Sequence, residues 1–457
     1  MSGSTTSQGF AFHRGQFQQI IDDTLAIAKD LGASDAAAEV SEGAGLSVSV
    51  RLGAIENVER NRDKSLGVTV YLGQRRGNAS TSDFSAAALQ QTVRAAYDIA
   101  RFTAEDPAAG LPDAEDLATP DIAGIDLDLF HPWLVDADGA AALARRCEAA
   151  ALATSRKITN SEGAGVSAQQ SHFWAGNSRG FRGGYASSRH SLSVAPIAGK
   201  GAAMQRDAWY SSQRNAMDLA SPEAVGRYAA ERALSRLKGR KVPTCEVPVL
   251  FENTLAAGLL GSMVGALSGG ALYRRASFLM DSVGTPVLAD HLDVDEDPLV
   301  PRGKASAAFD DEGVRTRKRR VVDGGVVQGY FLSSYSARKL GLRTTGHAGG
   351  AQNLVLSSRL TRPGDHLDEM LRKLHRGLFV TELMGQGVNG VTGDYSRGAA
   401  GYWVEGGRIV HPVHEVTIAG NLKDMLRHIV AVGADTYVSG GRTVGSLLLA
   451  RMKVAGS

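Results

Sequence analysis

Cysteine is almost missing from this chain: Cys147 and Cys245 are its only two in 457 residues. That excludes a disulfide-framed scaffold. Two isolated cysteines read as buried thiols in a reducing compartment. Aromatic residues are sparse at 6%, and the formal net charge is only +2. No basic surface interleaved with aromatics is available, so nucleic acid is not an expected partner. The one basic cluster, Arg315 to Arg320, precedes Val321-Val322 and reads as the charged edge of a hairpin. The acidic run Asp290 to Asp297 lacks the glycine and terminal glutamate of a calcium loop and reads as solvated. Long hydrophobic runs are also missing, with one exception. Asn253 to Tyr273 carries no charge, which meets the length of a membrane span. Its glycines and serines dilute the hydropathy, and its apolar residues fall on all sides. A helix buried within protein fits better, and no membrane association is expected. Met1 to Gly9 has no apolar stretch, so no signal peptide is expected and the reading is cytoplasmic.

Familiar catalytic signatures are absent too. There is no Gly-x-Ser-x-Gly elbow. No two of the eleven histidines stand four or five residues apart. His411 and His414 lie in an apparent strand, where that spacing points them to opposite faces.

What the chain has is glycine, concentrated between Thr381 and Asn421. Such density marks turns, bulges and close backbone approach. Among those glycines sit Glu382, Gln386, Asn389, Thr392, Asp394, Tyr395, Ser396 and Arg397. The second half, Tyr402 to Val410 around Gly406-Gly407, has the pattern of a hairpin. The stretch thus reads as a polar, glycine-lined loop followed by sheet. An ion pair shaping that loop is the expected role of Glu382, Asp394 and Arg397.

Taken in order, the chain predicts helices over Gln16–Leu31, Ser85–Phe102 and Asp138–Ser155, with Asp138 as N-cap, and from Ser221 to Leu237. Short strands and turns lie between them. The run Ser-Glu-Gly-Ala-Gly occurs at 41 and again at 161, each time after a helix and a short strand. It reads as a turn within a possible helix–strand–turn–strand repeat. The Lys238-to-Pro243 segment separates an N-terminal α+β domain, residues 1–240, from a C-terminal β-rich domain, residues 241–457. The latter is expected to be a barrel or meander enclosing the uncharged helix. Strands outnumber helices without regular alternation, so the class is α+β.

Several ordered strings resemble one family. Glu382-Leu-Met-Gly-Gln-Gly-Val-Asn389 and Thr392-Gly-Asp-Tyr-Ser-Arg-Gly-Ala-Ala-Gly401 are similar to the PmbA (TldE) branch of the TldD/PmbA metalloproteases. So are Thr417 to Met425, Ser334 to Leu342, Thr345 to Gly350, Gly184 to Val194 and Met452 to Gly456. The resemblance runs through nearly the whole chain and is weakest before Ser41. It implies a cytoplasmic zinc protease built from two kinds of subunit and acting on extended or unfolded peptides. The family is linked to maturation of a peptide antibiotic, antitoxin degradation and effects on DNA gyrase.

TldD-branch members carry His-Glu-x-x-x-His on a helix and a late cysteine, giving three zinc ligands and a general base. Aligned on the strand-to-helix entry, that motif falls on Glu252 to Ala257. Here Glu252, Asn253 and Ala257 occupy the two histidine positions and the glutamate position, and no cysteine follows Cys245. The resemblance therefore implies no catalytic residue and no cofactor on this chain, with zinc on a TldD-type partner. Glu382, Gln386, Asn389, Asp394, Tyr395 and Arg397 are the candidate contacts to substrate or partner. A homodimer is possible when the chain is alone. The alternative expectation is a non-enzymatic, homo-oligomeric peptide-binding protein. A self-sufficient hydrolase with an unrecognised site is the third, but no activated nucleophile is visible for it.

Overall fold

The structure, a computed structural model, describes residues 9–456. Met1–Gln8, on which the leaderless reading mostly rests, and Ser457 lie outside the described residues. The chain divides into two compact units. One runs to Leu237 and takes back Ala308–Arg315, and the other comprises Lys238–Ala307 and Thr316 onward.

The first unit contains, in order, α1 (Arg14–Asp30), β1 (Asp35–Arg51), β2 (Ala54–Leu72), β3 (Arg75–Thr81), α2 (Ala86–Phe102) and the short α3 (Pro120–Ala123). Then come α4 (Ala137–Ala153), β4 (Ile158–Asn177), β5 (Arg182–Gly183), β6 (Ala186–Ala198), β7 (Gln205–Arg206), β8 (Trp209–Gln213) and α5 (Pro222–Ser235). Its sheet has the order β3-β2-β1-β4-β6-β7, with β5 on β4 and β8 on β6. α1 starts where the His13 side chain accepts the Gln16 N–H and Gln16 reaches back to His13. It buries Phe17, Ile21, Leu25 and Ala28 against Val40, Val68 and Trp174. Each large aliphatic so buried contributes about 1.5–3 kcal/mol. α4 and α5 bury alanines over Leu46, Val48, Val166 and Leu192, the small side chains letting helices and strands approach closely. The N-cap of α4 is Asp136, whose carboxylate accepts the Gly139 N–H at 2.7 Å, not Asp138 as the sequence suggests. Asp138 falls in the first turn, where an acid still suits the positive helix end.

The Ser-Glu-Gly-Ala-Gly runs are not turns. Both lie within strands, β1 and β4: the first is paired along its length on both sides, and the second carries a bulge at Glu162-Gly163, where Gly163 takes a positive φ. Glycine serves close packing there: a Cβ on Gly45 would collide with the Gln169 side chain. The recurrence nonetheless has a geometric counterpart. Ser47 and Ser167 hold the same position relative to the two runs, and they face each other in the antiparallel β1–β4 pairing, hydroxyls 3.3 Å apart. The sheet order on either side of that pair, β1-β2-β3 and β4-β6-β7, mirrors a local two-fold.

The second unit contains β9 (Cys245–Phe251), α6 (Asn253–Ala266), α7 (Gly269–Tyr273), β10 (Leu292–Glu296), β11 (Arg319–Asp323), β12 (Val326–Val327), α8 (Ser334–Lys339) and β13 (Leu354–Ser358). It continues with α9 (Leu367–Leu374), β14 (Gly377–Met384), β15 (Asp394–Glu405), β16 (Arg408–Asn421), α10 (Leu422–Arg427), β17 (Ile429–Val432), β18 (Tyr437–Ser439), β19 (Arg442–Val444) and β20 (Leu447–Ala455). β16, β15, β14, β9 and β20 close into a five-stranded barrel, because Thr417–Ala419 of β16 pair with Lys453–Ala455 of β20. A second sheet has the order β12-β11-β10-β13-β19-β18. The class is α+β with a barrel in the C-terminal region.

The uncharged stretch is two helices, α6 and α7, broken at Leu267-Ser268, where Gly269 N–H is taken by the Phe331 carbonyl. α6 buries Ala256, Leu259, Leu260 and Met263, and among the described residues no helix is long and apolar enough to cross a membrane. The acidic run is not a solvated loop either. Most of it forms β10, and Asp293 and Glu296 are buried. The basic cluster supplies its partners across the β10–β11 pairing. Arg319 meets Glu296 at 2.7 Å, Arg320 meets Asp295 at 2.9 Å and Lys318 meets Asp297 at 3.1 Å. His347 completes the buried group, its Nε2 2.9 Å from Glu296.

Candidate functional site

The β14–β15 hairpin forms two staves of the barrel, and its loop, residues 385–393, is the glycine-lined segment. Two glycines make the hairpin possible. A Cβ on Gly401 would strike the Phe379 carbonyl, and one on Gly387 the Ser396 carbonyl. Gly387 also receives the Ser396 N–H on its own carbonyl at 2.7 Å, which folds the loop back on β15.

Asn389 organises the loop itself. Its Oδ1 accepts the N–H groups of Val391 at 2.9 Å and Thr392 at 3.3 Å, and its own N–H donates to the Asp394 carbonyl at 2.8 Å. This is an Asx turn, one reason asparagine suits such a position. Asp394 accepts the Thr392 hydroxyl at 2.7 Å and the Asn421 amide at 3.1 Å, and these bonds hold its carboxyl below the usual aspartate range. Asn421 also donates to the Thr392 carbonyl and caps α10 by accepting the Lys423 N–H. It is a brace that the candidate set omits. The signal was present in the Thr417-to-Met425 string, where an asparagine precedes a helical pattern.

Tyr395 and Arg397 sit two apart on β15 and share a face. Tyr395 packs in the core with Ile418 and Met425. Burial pushes its hydroxyl up to about 12, against a smaller pull from the hydrogen-bonded Arg397 guanidinium. Arg397 is half-buried, and its Nε has no partner among the described residues. Thr381 Oγ1, on adjacent β14, is likewise buried and unpartnered. Buried donors left unpaired are uncommon and call for an explanation.

The six candidates thus do not converge on one point. Asn389 and Asp394 brace the loop, Gln386 is exposed on it, Tyr395 faces the barrel core, and Arg397 is half-buried two residues further along β15. Glu382 is half-buried on β14 opposite Ala400. Asp394 turns to Thr392 and Asn421, not to Arg397, because residues three apart on a strand point to opposite faces.

The positions aligned with the metal motif sit where β9 enters α6. The Glu252 N–H donates to the Val380 carbonyl at 2.9 Å, and its carboxylate accepts the Thr254 hydroxyl at 2.6 Å. The Asn253 amide donates to the Asp435 carbonyl. Ala257 is buried and offers no donor atom. Among the described residues no three His, Cys, Asp or Glu side chains group as metal ligands. This donor set does not fit a zinc ion.

Three consecutive segments of the chain match the PmbA/TldA metallopeptidase domains: domain 1 over residues 36–100, the central domain over 130–237 and the C-terminal domain over 244–456. The chain belongs to the PmbA/TldD metallopeptidase family. Within it, the similarity is to the PmbA branch. The metalloprotease PmbA of Escherichia coli O157:H7 is 49% identical over 442 residues, covering 96% of this chain and 97% of that protein. A PmbA homolog of Haemophilus influenzae is 45% identical, covering 97% and 96%. The solved TldE of Thermococcus kodakarensis shares the fold, with a TM-score of 0.80 at 18% identity, covering 95% of this chain and 99% of that one. A Bacteroides thetaiotaomicron structure, proposed as a modulator of DNA gyrase, superposes with a TM-score of 0.90 at 26% identity, covering 96% and 99%.

Proposed function

We propose that this chain is the metal-free subunit of a two-chain peptidase. Its partner is a TldD-type subunit that carries the zinc, and the substrate is an extended or unfolded peptide in the cytoplasm. The observation that carries this reading is the donor set at Glu252, Asn253 and Ala257. Two of the three side chains are engaged within the fold and the third has no donor. The branch similarity supports it, since the PmbA relatives of Escherichia coli and Haemophilus influenzae are named metalloproteases while this chain lacks the motif's ligands.

In this role the chain binds and shields without performing bond cleavage. An extended peptide can be held by strand addition, with main-chain hydrogen bonds giving affinity irrespective of side chains. Arg397 supplies a half-buried cation on the hairpin. A peptide carbonyl or carboxylate is the chemistry that pairs with a partly exposed guanidinium. Gln386, exposed on the loop, offers a neutral donor and acceptor. The braced loop holds these groups still, lowering the ordering cost of binding.

The test is reconstitution. Hydrolysis of an unstructured peptide is measured for this chain, for a TldD-type subunit and for the mixture. The reading expects activity in the mixture that this chain alone lacks. Steady hydrolysis by this chain alone, whether or not a chelator abolishes it, overturns it.

A further inference from the structure

The sheet of the first unit has a face turned away from α1 and α2, and part of it is a floor of small residues. Ala38, Val40 and Val68 point to the helices. Their neighbours along each strand point the other way. Directly opposite one another there are Gly67, Glu39 and Ala175 in one row and Thr69, Ala37 and Asn177 in the next. Residues 110–112 and Asp311-Glu312, all of the first unit, stand beside this floor and bound with it a cavity of about 570 Å³. Sites for small ligands are of that size, roughly 300–1,000 Å³. A Cβ on Gly67 would meet nothing within 4 Å, so the floor is open at that point.

Two carboxylates face this space, Glu39 on the floor and Asp311 on the wall. Among the described residues neither is paired with a base or a hydrogen-bond donor. Partial burial and the Asp311 charge hold the Glu39 carboxyl above its ordinary range, and partial burial and the Glu312 charge do the same to Asp311. Arg76, also on the wall, is turned to the Asn78 Oδ1 at 3.1 Å. A cation from outside the chain relieves both acids. An acceptor is called for as well. Asn177 is only 2% exposed, and its Oδ1 accepts the N–H groups of Arg179 at 3.0 Å and Phe181 at 3.2 Å. Its Nδ2 hydrogens have no partner among the described residues and are left to the cavity that the side chain lines. Glu39 and Asn177 are diagonal neighbours on adjacent strands, roughly 7–8 Å apart. A primary ammonium with a carbonyl on the next carbon fits between them. We infer that this cavity takes the amino terminus of an extended peptide, its ammonium on Glu39 and Asp311 and its first carbonyl on the Asn177 amide. A lysine side chain offers the charge without the adjacent acceptor. The assignment rests on the proposed function only in taking a peptide as the ligand.

The test is binding to the full chain, read by fluorescence anisotropy of peptides labelled at the carboxyl end. Three short peptides are compared: one with a free amino terminus and no lysine, the same sequence N-acetylated, and the acetylated sequence with one lysine added. The free amine should bind roughly tenfold or more tighter than either acetylated peptide. Glu39→Gln and Asp311→Asn should each reduce that preference, and the double variant should abolish it. Gly67→Val, which fills the floor beside Glu39 and changes no charge, should weaken the free amine to the level of the acetylated peptides. The substituted positions are exposed or open, and thermal melts check that the variants fold. Equal binding of free and acetylated peptides, or binding of none, overturns the inference. So does a preference untouched by the charge variants, or an acetylated lysine peptide that binds as tightly as the free amine. Hydrolysis by the reconstituted mixture, measured separately, decides the proposed function and not this site.

Discussion

Replacing Arg397 with methionine separates a binding role from a structural one. The guanidinium is half-buried, hydrogen-bonds the Tyr395 hydroxyl and leaves Nε unpartnered. Methionine fills similar space and removes the charge. The loss on folding is the Tyr395 partner, since a buried donor left alone costs about 1–3 kcal/mol. Removing the unpaired Nε offsets part of that. In a domain of roughly 150–250 residues, 1 kcal/mol moves the melting temperature by about 2–4 °C, so the expected drop, after that offset, is below about 10 °C. Binding loses more. A charged contact made away from water contributes about 2 kcal/mol or more. Every 1.4 kcal/mol is about tenfold, so hydrolysis by the mixed complex should fall by roughly tenfold or more per folded molecule. Arg397→Lys, which keeps charge and loses the planar fork, should fall between the two. The assay is a thermal melt and a peptide-hydrolysis rate on the same preparations. A melting drop above about 10 °C with unchanged activity per folded molecule would refute the reasoning and make Arg397 a structural cation.

Gly401→Ala should prevent the hairpin from closing, because its Cβ meets the Phe379 carbonyl; soluble expression with an unchanged melt would contradict this. Burial pushes the Cys147 thiol up to about 12, so native chain treated with iodoacetamide near neutral pH should be modified at Cys245 first; mass spectrometry showing Cys147 modified without unfolding would oppose it. Burial holds His172, His190 and His347 below the ordinary 6.5, so below that pH the unfolded chain binds more protons than the folded one. Stability present above pH 6.5 is therefore lost as the pH falls, and a melting temperature flat from about pH 7.5 to 5.5 would count against it.

Much of the fold was legible because local rules and tertiary context agreed. The Gly406-Gly407 turn, both residues at positive φ, sits where sequence places the hairpin. What failed did so for a shared reason. Glu296, Asp293 and Arg319 look like solvent charges by type, yet β10 and β11 bring them together and bury most of them. Gly43 and Gly45 look like a turn, yet strands on both sides fix them extended. Pairing partners distant in sequence decided both cases, and no local pattern encodes them. At the candidate site, polarity marked the right hairpin but could not sort its residues. The Asx geometry of Asn389 and the brace from Asn421 depend on backbone positions that composition does not reveal.

The measurement that bears most directly on the account is the zinc content of the purified chain, alone and in complex with a TldD-type subunit. The account predicts none held stoichiometrically by this chain, because Glu252 and Asn253 are engaged and Ala257 has no donor, and about one zinc per pair of chains in the complex. About one tightly held zinc per copy of this chain alone would contradict it.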